Sequence, residues 1–324
     1  MSLVFHDGKF IPEQNIQKST ESARVLRLLR SFLDANEPGL VRILLNTFRS
    51  QGNAITYKEL REAILAGDIS PELLNDWMQD YSRFVSKELR PAWEKAIRAA
   101  VEELERQYPT FYFNPMADGV RSWTENRAGE FVTNVTQTQI EGIRAVVQRA
   151  AGLEDMSATE LARAIRPMVG LTAPASNVVM NYYETLRSNG ISEKRALDRT
   201  IRLAARKHRE RAYLIARTEM AMAYNRGAHE GTKQAQAAGL IGECVKEWCT
   251  ADDERVCSMC NSLDGTQWAM DTDIMYEYTY KRSGIKTVRR INPNLDDPEA
   301  GLQPPAHPGC RCAVKYIEVK KPIY

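Results

Sequence analysis

Nowhere in the 324 residues does an apolar run approach the ~18 residues that a membrane span requires, so no bilayer-crossing helix is expected. Neither sign of charge is in excess. Forty-four Lys and Arg stand against 42 Asp and Glu, a formal +2, so attraction to a polyanion has to come from local clustering. The opening residues, Met1 to Lys9, break their apolar run with His6 and Asp7 too early for a secretory signal, which predicts a reducing cytoplasm. Internal repeats and low-complexity tracts are absent. Cysteine is missing from the first 243 residues, and all six thiols (Cys244, Cys249, Cys257, Cys260, Cys310 and Cys312) fall in the last quarter. Without a signal peptide, such clustering points to metal ligation in preference to disulfides.

What is present describes a folded protein. Hydrophobic residues make up 43% and charged residues 27%, near globular averages, and a prior of roughly 150 residues per domain gives two or three domains. Most of the text is helical. Ser19-Thr20-Glu21 opens a first helix through Val25, Leu29 and Phe32 that is expected to end near Pro38-Gly39. Thr56 to Glu59 and Ser157 to Glu160 have capping-box spacing, and Ser70-Pro71-Glu72 places an N-cap before a first-turn proline. Pro91 is expected to kink or divide the helix that Ser70 starts. A long segment carries Trp123, Phe131, Val135, Ile143, Val146 and Val147, and a further helix after Pro174 closes at Asn189-Gly190. Ser192 opens the longest helix candidate, running to about Gly239 with Gly227 and Gly231 as weak points.

The character changes after Gly242. Cys244 to Thr250 reads as a strand, Thr266 to Trp268 as another, Tyr276 to Ile291 as a hairpin around Ser283-Gly284, and Cys312 to Val319 as a closing strand. The predicted architecture is therefore mainly α, a multi-helix body with a small zinc-stabilised α+β C-terminal domain. Three parts are expected: an N-terminal helical region over 1–111, a helical body over 112–240 ending in the long helix, and a zinc-binding domain over 241–324.

Cys257-Ser258-Met259-Cys260 has the C-x2-C spacing at which a tight turn aims two thiolates at one tetrahedral ion. About fifty residues later, His307-Pro308-Gly309-Cys310-Arg311-Cys312 supplies a second compact cluster. Five candidate ligands contend for four positions, and the sequence leaves Cys310 and Cys312 as alternatives for the last. Cys244 and Cys249 have no partner at ligand spacing and read as packed strand residues.

A complete Cys3His set is closed and structural, whereas catalytic zinc keeps an open position. No His-Glu-x-x-His helix occurs, and neither cysteine cluster has the shuttling Glu of a deaminase. Asp252, Asp253, Glu254 and Asp264 lie near the cluster and would serve as general bases only if a ligand position were vacant; solvated turn acids are the simpler reading. On the long helix, Arg195, Arg199, Arg202, Arg206, Lys207, Arg209 and Arg211 form a basic stretch, diluted by Asp198 and Glu210. Arg202, Arg206 and Arg209 are the candidate DNA or partner contacts, against the alternative of a solvated helix face. His208 falls near the apolar stripe and reads as packed; His6 and His229 carry no signal.

Four pieces in order resemble the phage head morphogenesis proteins of the Mu gene-F type, also called minor head or minor capsid proteins. They are Ile215-Ala216-Arg217-Thr218-Glu219 with Asn225 and Gly227; Trp248-Cys249-Thr250 through Asp253 to Cys260; Leu263-Asp264-Gly265; and Pro304 to Cys312. The resemblance is strongest over roughly residues 190 to 316, and the first hundred residues are unmatched. It implies a low-copy virion component, taken into the procapsid alongside the portal or the major capsid protein. Head morphogenesis, DNA packaging or ejection would be its work, with packaged double-stranded DNA as a further partner and no membrane. Localisation would be the capsid interior or portal vertex, and the host cytoplasm during assembly. The closed ligand set predicts a structural Zn2+ and no catalysis, and structural roles are expected for the motif residues Arg217, Glu219, Asn225, Trp248, Asp253, Asp264 and Gly265. Arg217 with Glu219 is expected to fix the long helix against the zinc unit. The alternatives are a zinc-dependent nuclease or other hydrolase, and a non-viral nucleic-acid-binding zinc protein. Some relatives carry an added C-terminal toxin domain, which is not expected in a chain whose last motif strand lies so close to Tyr324.

Overall fold

Helix α1 spans Thr20–Ala54 and runs through Pro38, so it does not stop where proline and glycine suggested. The reason lies in its buried stripe: Leu26, Leu29, Leu33, Glu37, Leu40, Leu44 and Phe48 recur every three or four residues on both sides of the proline. Burial of that face outweighs one missing N–H. The structure, a computed structural model, describes residues 3–6, 9–12, 20–77, 81–251, 256–279, 284, 286–292 and 298–319.

Local signals set most other boundaries. Helix α2 (Tyr57–Ala66) starts at a complete capping box, with the Glu59 amide donating to Thr56 Oγ1 and Glu59 accepting from the Thr56 amide at 2.7 Å. Helix α3 (Pro71–Trp77) has Ser70 as its cap. After α4 (Tyr81–Phe84) comes a π-helical turn, Val85–Leu89, and then α5 (Arg90–Gln107) with Pro91 in its first turn. The proline thus divides the helix through a widened turn. Helix α6 covers Asp118–Ala151, α7 Ala158–Ile165, α8 Ala173–Ser188 and α9 Glu193–Ala237. Ser157 caps α7, but Glu160 does not reach back; its buried carboxylate accepts from Tyr183 Oη at 2.7 Å and from Arg187 Nε at 2.6 Å.

The strands are β1 (Leu3–His6), β2 (Lys9–Pro12), β3 (Cys244–Cys249), β4 (Gln267–Ala269), β5 (Met275–Thr279), β6 (Lys286–Arg290) and β7 (Ala313–Glu318). An antiparallel sheet has the order β1-β2-β4-β3-β7, and β5 pairs with β6 as a separate ribbon. The N-terminal hairpin had no sequence signal, yet it extends the sheet through Phe10 opposite Gln267. Strand β3 lies between β4 and β7 and is buried at all six positions. Lys246, inside it, donates to the carbonyls of Met270 at 2.9 Å and Thr272 at 2.6 Å, and its burial pulls its pKa down to about 7.

Two compact units emerge. One comprises Met1–Glu37, Leu89–Arg127 and Leu214–Tyr324; the other comprises Pro38–Glu88 and Ala128–Tyr213. The second has a helical core in which Leu60 and Ile64 meet Val146, Val147, Leu161, Ile165, Val179 and Met180. The first combines the sheet with helical packing that includes a buried Trp93 and Trp123 pair, their rings 5.6 Å apart. No helix among the described residues is long and apolar enough to cross a membrane.

In this first unit Gly227 and Gly231 are sites of close approach and not weak points. A β-carbon on Gly227 would lie 2.5 Å from the Ile97 carbonyl oxygen and 2.6 Å from its Cα, and one on Gly231 would meet Val101 at 2.4 Å. Helix α5 packs on bare backbone there. Gly227→Ala is expected to lower unfolding free energy by about 1–3 kcal/mol through overpacking, despite a gain in helix propensity. Gly39→Ala has open space around it, and is expected to stabilise by about 0.4–1 kcal/mol. Urea denaturation midpoints check both signs.

Candidate metal centre

The two cysteine-bearing turns are shaped before they meet. Cys257 is the N-cap of α10 (Ser258–Leu263), with its Sγ accepting from the Cys260 amide at 3.4 Å, so the helix start itself points both sulfurs one way. In the second turn Gly309 takes φ +76, and the Cys310 amide donates to the His307 carbonyl at 3.1 Å. Asn292, itself at φ +50, ties down the preceding loop by donating to the carbonyls of Ala300 at 2.9 Å and Pro305 at 2.7 Å.

The turns place His307 Nε2 at 3.2 Å from Cys257 Sγ and 3.3 Å from Cys260 Sγ, while Cys260 and Cys310 sulfurs lie 3.7 Å apart. A tetrahedral zinc ion with ordinary bond lengths would need about 3.8 Å between sulfurs and about 3.5 Å between sulfur and nitrogen. The spacing fits. Two triads are formed, Cys257-Cys260-His307 and Cys260-Cys310-Cys312, and in each the ligand atoms lie within 4.8 Å of one another. Cys260 belongs to both. His307 Nδ1 faces the Pro308 carbonyl at 2.9 Å, so a proton held there leaves the Nε2 lone pair directed at the sulfurs. Hydrogen bonds from Cys260 and Cys312 hold Cys310 well below the usual thiol range, which favours one sulfur in the metal-binding thiolate form. The donor set can hold a metal ion. Trp248, Trp268, Leu263, Ile274 and Ile291 bury it.

Cys244 and Cys249 stand apart. Both thiols donate to backbone carbonyls of their own strand region, and burial raises Cys249 to about 11. Asp264 accepts from the Thr250 amide at 2.7 Å, and Gly265, at φ +74, donates to the Trp248 carbonyl at 2.8 Å. Those motif residues close the end of β3. Asp252, Asp253 and Glu254 lie outside the described residues.

The motif on α9 works differently from expectation. Arg217 pairs with Glu37 of α1, Nε to carboxylate 2.6 Å, and Glu219 pairs with Arg127 of α6, Nε to Oε2 3.0 Å. Among the described residues these two pairs lead to helices α1 and α6. Thr218, between them, reaches the metal turns by accepting from the Gly309 amide at 2.9 Å, a role that sequence reading missed although the residue sits inside the quoted motif. Seven residues on, buried Asn225 donates to the Cys312 carbonyl at 3.3 Å and accepts from the Val314 amide at 3.3 Å. One amide side chain thus holds β7 where it leaves the cluster.

His229 was also missed. It is wholly buried beside Tyr316, whose hydroxyl lies 3.3 Å from Nδ1, and burial together with Arg226, Lys246 and Lys233 depresses its pKa to about 2. His208 packs as expected, with Nε2 3.1 Å from the Pro167 carbonyl. Arg202, Arg206 and Arg209 are exposed on the N-terminal half of α9. Arg206 is 3.6 Å from Glu210.

Fold and cluster together define a mainly helical protein whose small C-terminal sheet carries a Cys/His set able to hold a metal. Residues 157–315 match the family model described as phage Mu protein F like protein. No curated protein and no solved structure gives a significant match.

The Arg127 and Glu219 pair is almost fully buried, with side chains 9% and 5% exposed. Arg127→Met is expected to cost about 3–5 kcal/mol because Glu219 would be left as a buried unpaired carboxylate. Adding Glu219→Met should restore most of that loss. A double-mutant cycle by chemical denaturation measures the coupling.

Proposed function

We propose that this chain is a phage minor head protein: a low-copy virion component that associates with the portal or the inner capsid wall and assists head morphogenesis and DNA packaging or ejection. The family match carries this reading, because it runs continuously through the α9 motif and both metal turns. The site chemistry supports assembly in preference to catalysis. Asp264 is engaged with backbone, Glu219 with arginine, and the cysteines and histidine with one another.

In this reading the ion is zinc and its role structural, held by Cys257, Cys260, His307 and one of Cys310 and Cys312. Zinc would supply the bonds that join two turns some fifty residues apart, worth on the order of 10–16 kcal/mol in small zinc peptides. The basic stretch is the proposed DNA contact. Between Glu193 and Tyr213 there are eight Lys and Arg against three Asp and Glu, a surplus of five where the whole chain has two. Phosphate contact through such a row would be salt-dependent.

Elemental analysis of protein purified without added metal should find one zinc per chain, lost on combined Cys257→Ser and Cys260→Ser. Chelation should open the metal turns to amide exchange while most helical circular dichroism remains. A zinc content near zero would remove the structural-ion reading. For the head assignment, mass spectrometry of procapsids and mature particles purified from an infection should detect the chain at low copy. Its complete absence from both would overturn the assignment whatever the metal content.

A further inference from the structure

The unit formed by Pro38–Glu88 and Ala128–Tyr213 contains a cleft of about 380 Å³ between the C-terminal part of α1, the start of α2, the turn after α7 and the N-terminal half of α9. Its wall is apolar, made by Leu45, Phe48, Val169 and Ala205. Two large apolar side chains stand at its mouth in solvent: Tyr57 is 49% exposed and Ile201 47%. Three guanidinium groups, from Arg49, Arg166 and Arg209, also line it beside His208, and among the described residues no carboxylate does.

Arg166 is already in place. It donates through Nε to the Gly52 carbonyl at 3.1 Å and through Nη2 to the Asn53 carbonyl at 3.3 Å, and its guanidinium carbon lies 4.6 Å from the centre of the Tyr57 ring. These contacts fix both the cation and the aromatic lip, so a ligand would not bear the entropy of ordering them. An apolar hollow of this size accepts one large aliphatic or aromatic side chain. Three arginines in a lining with no described carboxylate call for carboxylates around that side chain, since arginine binds carboxylate through paired, charge-assisted hydrogen bonds. A sugar-phosphate strand satisfies the arginines but leaves the apolar wall and Ile201 uncovered.

We propose that this cleft is a docking site for an acidic peptide segment of a partner protein, one large apolar side chain filling the hollow and flanking Asp or Glu residues engaging Arg49, Arg166 and Arg209. The inference does not rest on the head assignment. It concerns a protein ligand, and of its three arginines only Arg209 also belongs to the row proposed to contact DNA.

The test uses the full chain and a pooled set of short fluorescein-labelled peptides, each with a single Phe, Leu or Trp between pairs of Glu, read by fluorescence anisotropy. Matched sets replace the apolar residue by Ala, or every Glu by Lys, and a short DNA duplex serves as a third probe. The acidic peptides should bind, more weakly as salt is raised. Ala205→Trp, an exposed position that fills the hollow without changing charge, should weaken them about tenfold or more and leave duplex binding unchanged. Arg49→Glu with Arg209→Glu should weaken them comparably, with circular dichroism confirming the fold. Lack of binding by the whole acidic set would overturn the proposal, as would equal binding by the Ala or Lys sets, or acidic-peptide affinity unchanged in Ala205→Trp. Duplex binding lost in Ala205→Trp would reassign the cleft to nucleic acid.

Discussion

Between Arg217 and Asn225, two and a half turns of α9 bond in four directions, and the packing of the first unit depends on that. Arg217 engages Glu37 in α1, Thr218 the Gly309 amide, Glu219 the Arg127 guanidinium in α6, and Asn225 the backbone of β7. Each partner is distant in sequence and most are buried, so a shift of α9 by one residue would break all four together. Apolar surface alone would tolerate several helix registers. Buried polar groups do not, because a donor or charge left without its partner costs several kcal/mol.

The cysteine and histidine cluster, able to hold a metal ion, would solve a related problem for loops. The turns at Cys257 and His307 have few apolar residues of their own, and the long connection between them makes their meeting entropically costly. An ion bonded by both would fix their distance, while Thr218 and Asn225 fix the cluster to α9. Positioning is thus divided: the ligands set the relation of turn to turn, and two neutral side chains set that of turn to helix. Thr218 and Asn225 are suited to this because hydroxyl and amide groups satisfy backbone atoms without bringing further charge close to thiolates.

How much of this was legible follows from the range of each interaction. The C-x2-C turn, the two threonine and serine caps, Gly190 and the strand after Gly242 are local, and their sequence signals point to the observed elements. The end expected at Pro38 was a local signal overruled by a longer one, since the leucine stripe of α1 continues past it. Gly227 and Gly231 carried the right emphasis for the wrong reason: a glycine that weakens an isolated helix strengthens one whose neighbour lies against its backbone. Arg217 and Glu219, two residues apart, cannot face one partner on a helix, and that geometry alone argued for separate destinations. Nothing in the chain named Glu37 or Arg127 as those destinations. The pairing of Phe10 with Gln267 is likewise a tertiary fact with no local trace.

Along α9 the same residue types meet opposite fates, and charge balance explains the difference. From Leu214 to Ala237 the helix carries Arg217, Glu219, Arg226, Glu230 and Lys233, and four of these five are in ion pairs with side chains 0–15% exposed. Arg226 and Glu230 even pair within the helix, 2.9 Å apart at i, i+4. Between Glu193 and Tyr213 cations outnumber anions by five, so no arrangement inside this segment neutralises them, and the desolvation of each surplus guanidinium would go uncompensated. Lys194, Arg195, Arg199, Arg202, Arg206 and Arg209 consequently face solvent, while Lys207 and Arg211 are half-buried and Arg211 bonds the Gly170 carbonyl and Thr138. An exposed cationic surplus beside an apolar cleft is an unfavourable way to finish an isolated surface, because the like charges repel one another and the apolar wall stays in water. It becomes favourable when a carboxylate-bearing or phosphate-bearing partner supplies the missing counter-charge. The ion-paired half of α9 holds its own protein together, and the unbalanced half is where the proposed partners would supply the missing counter-charge.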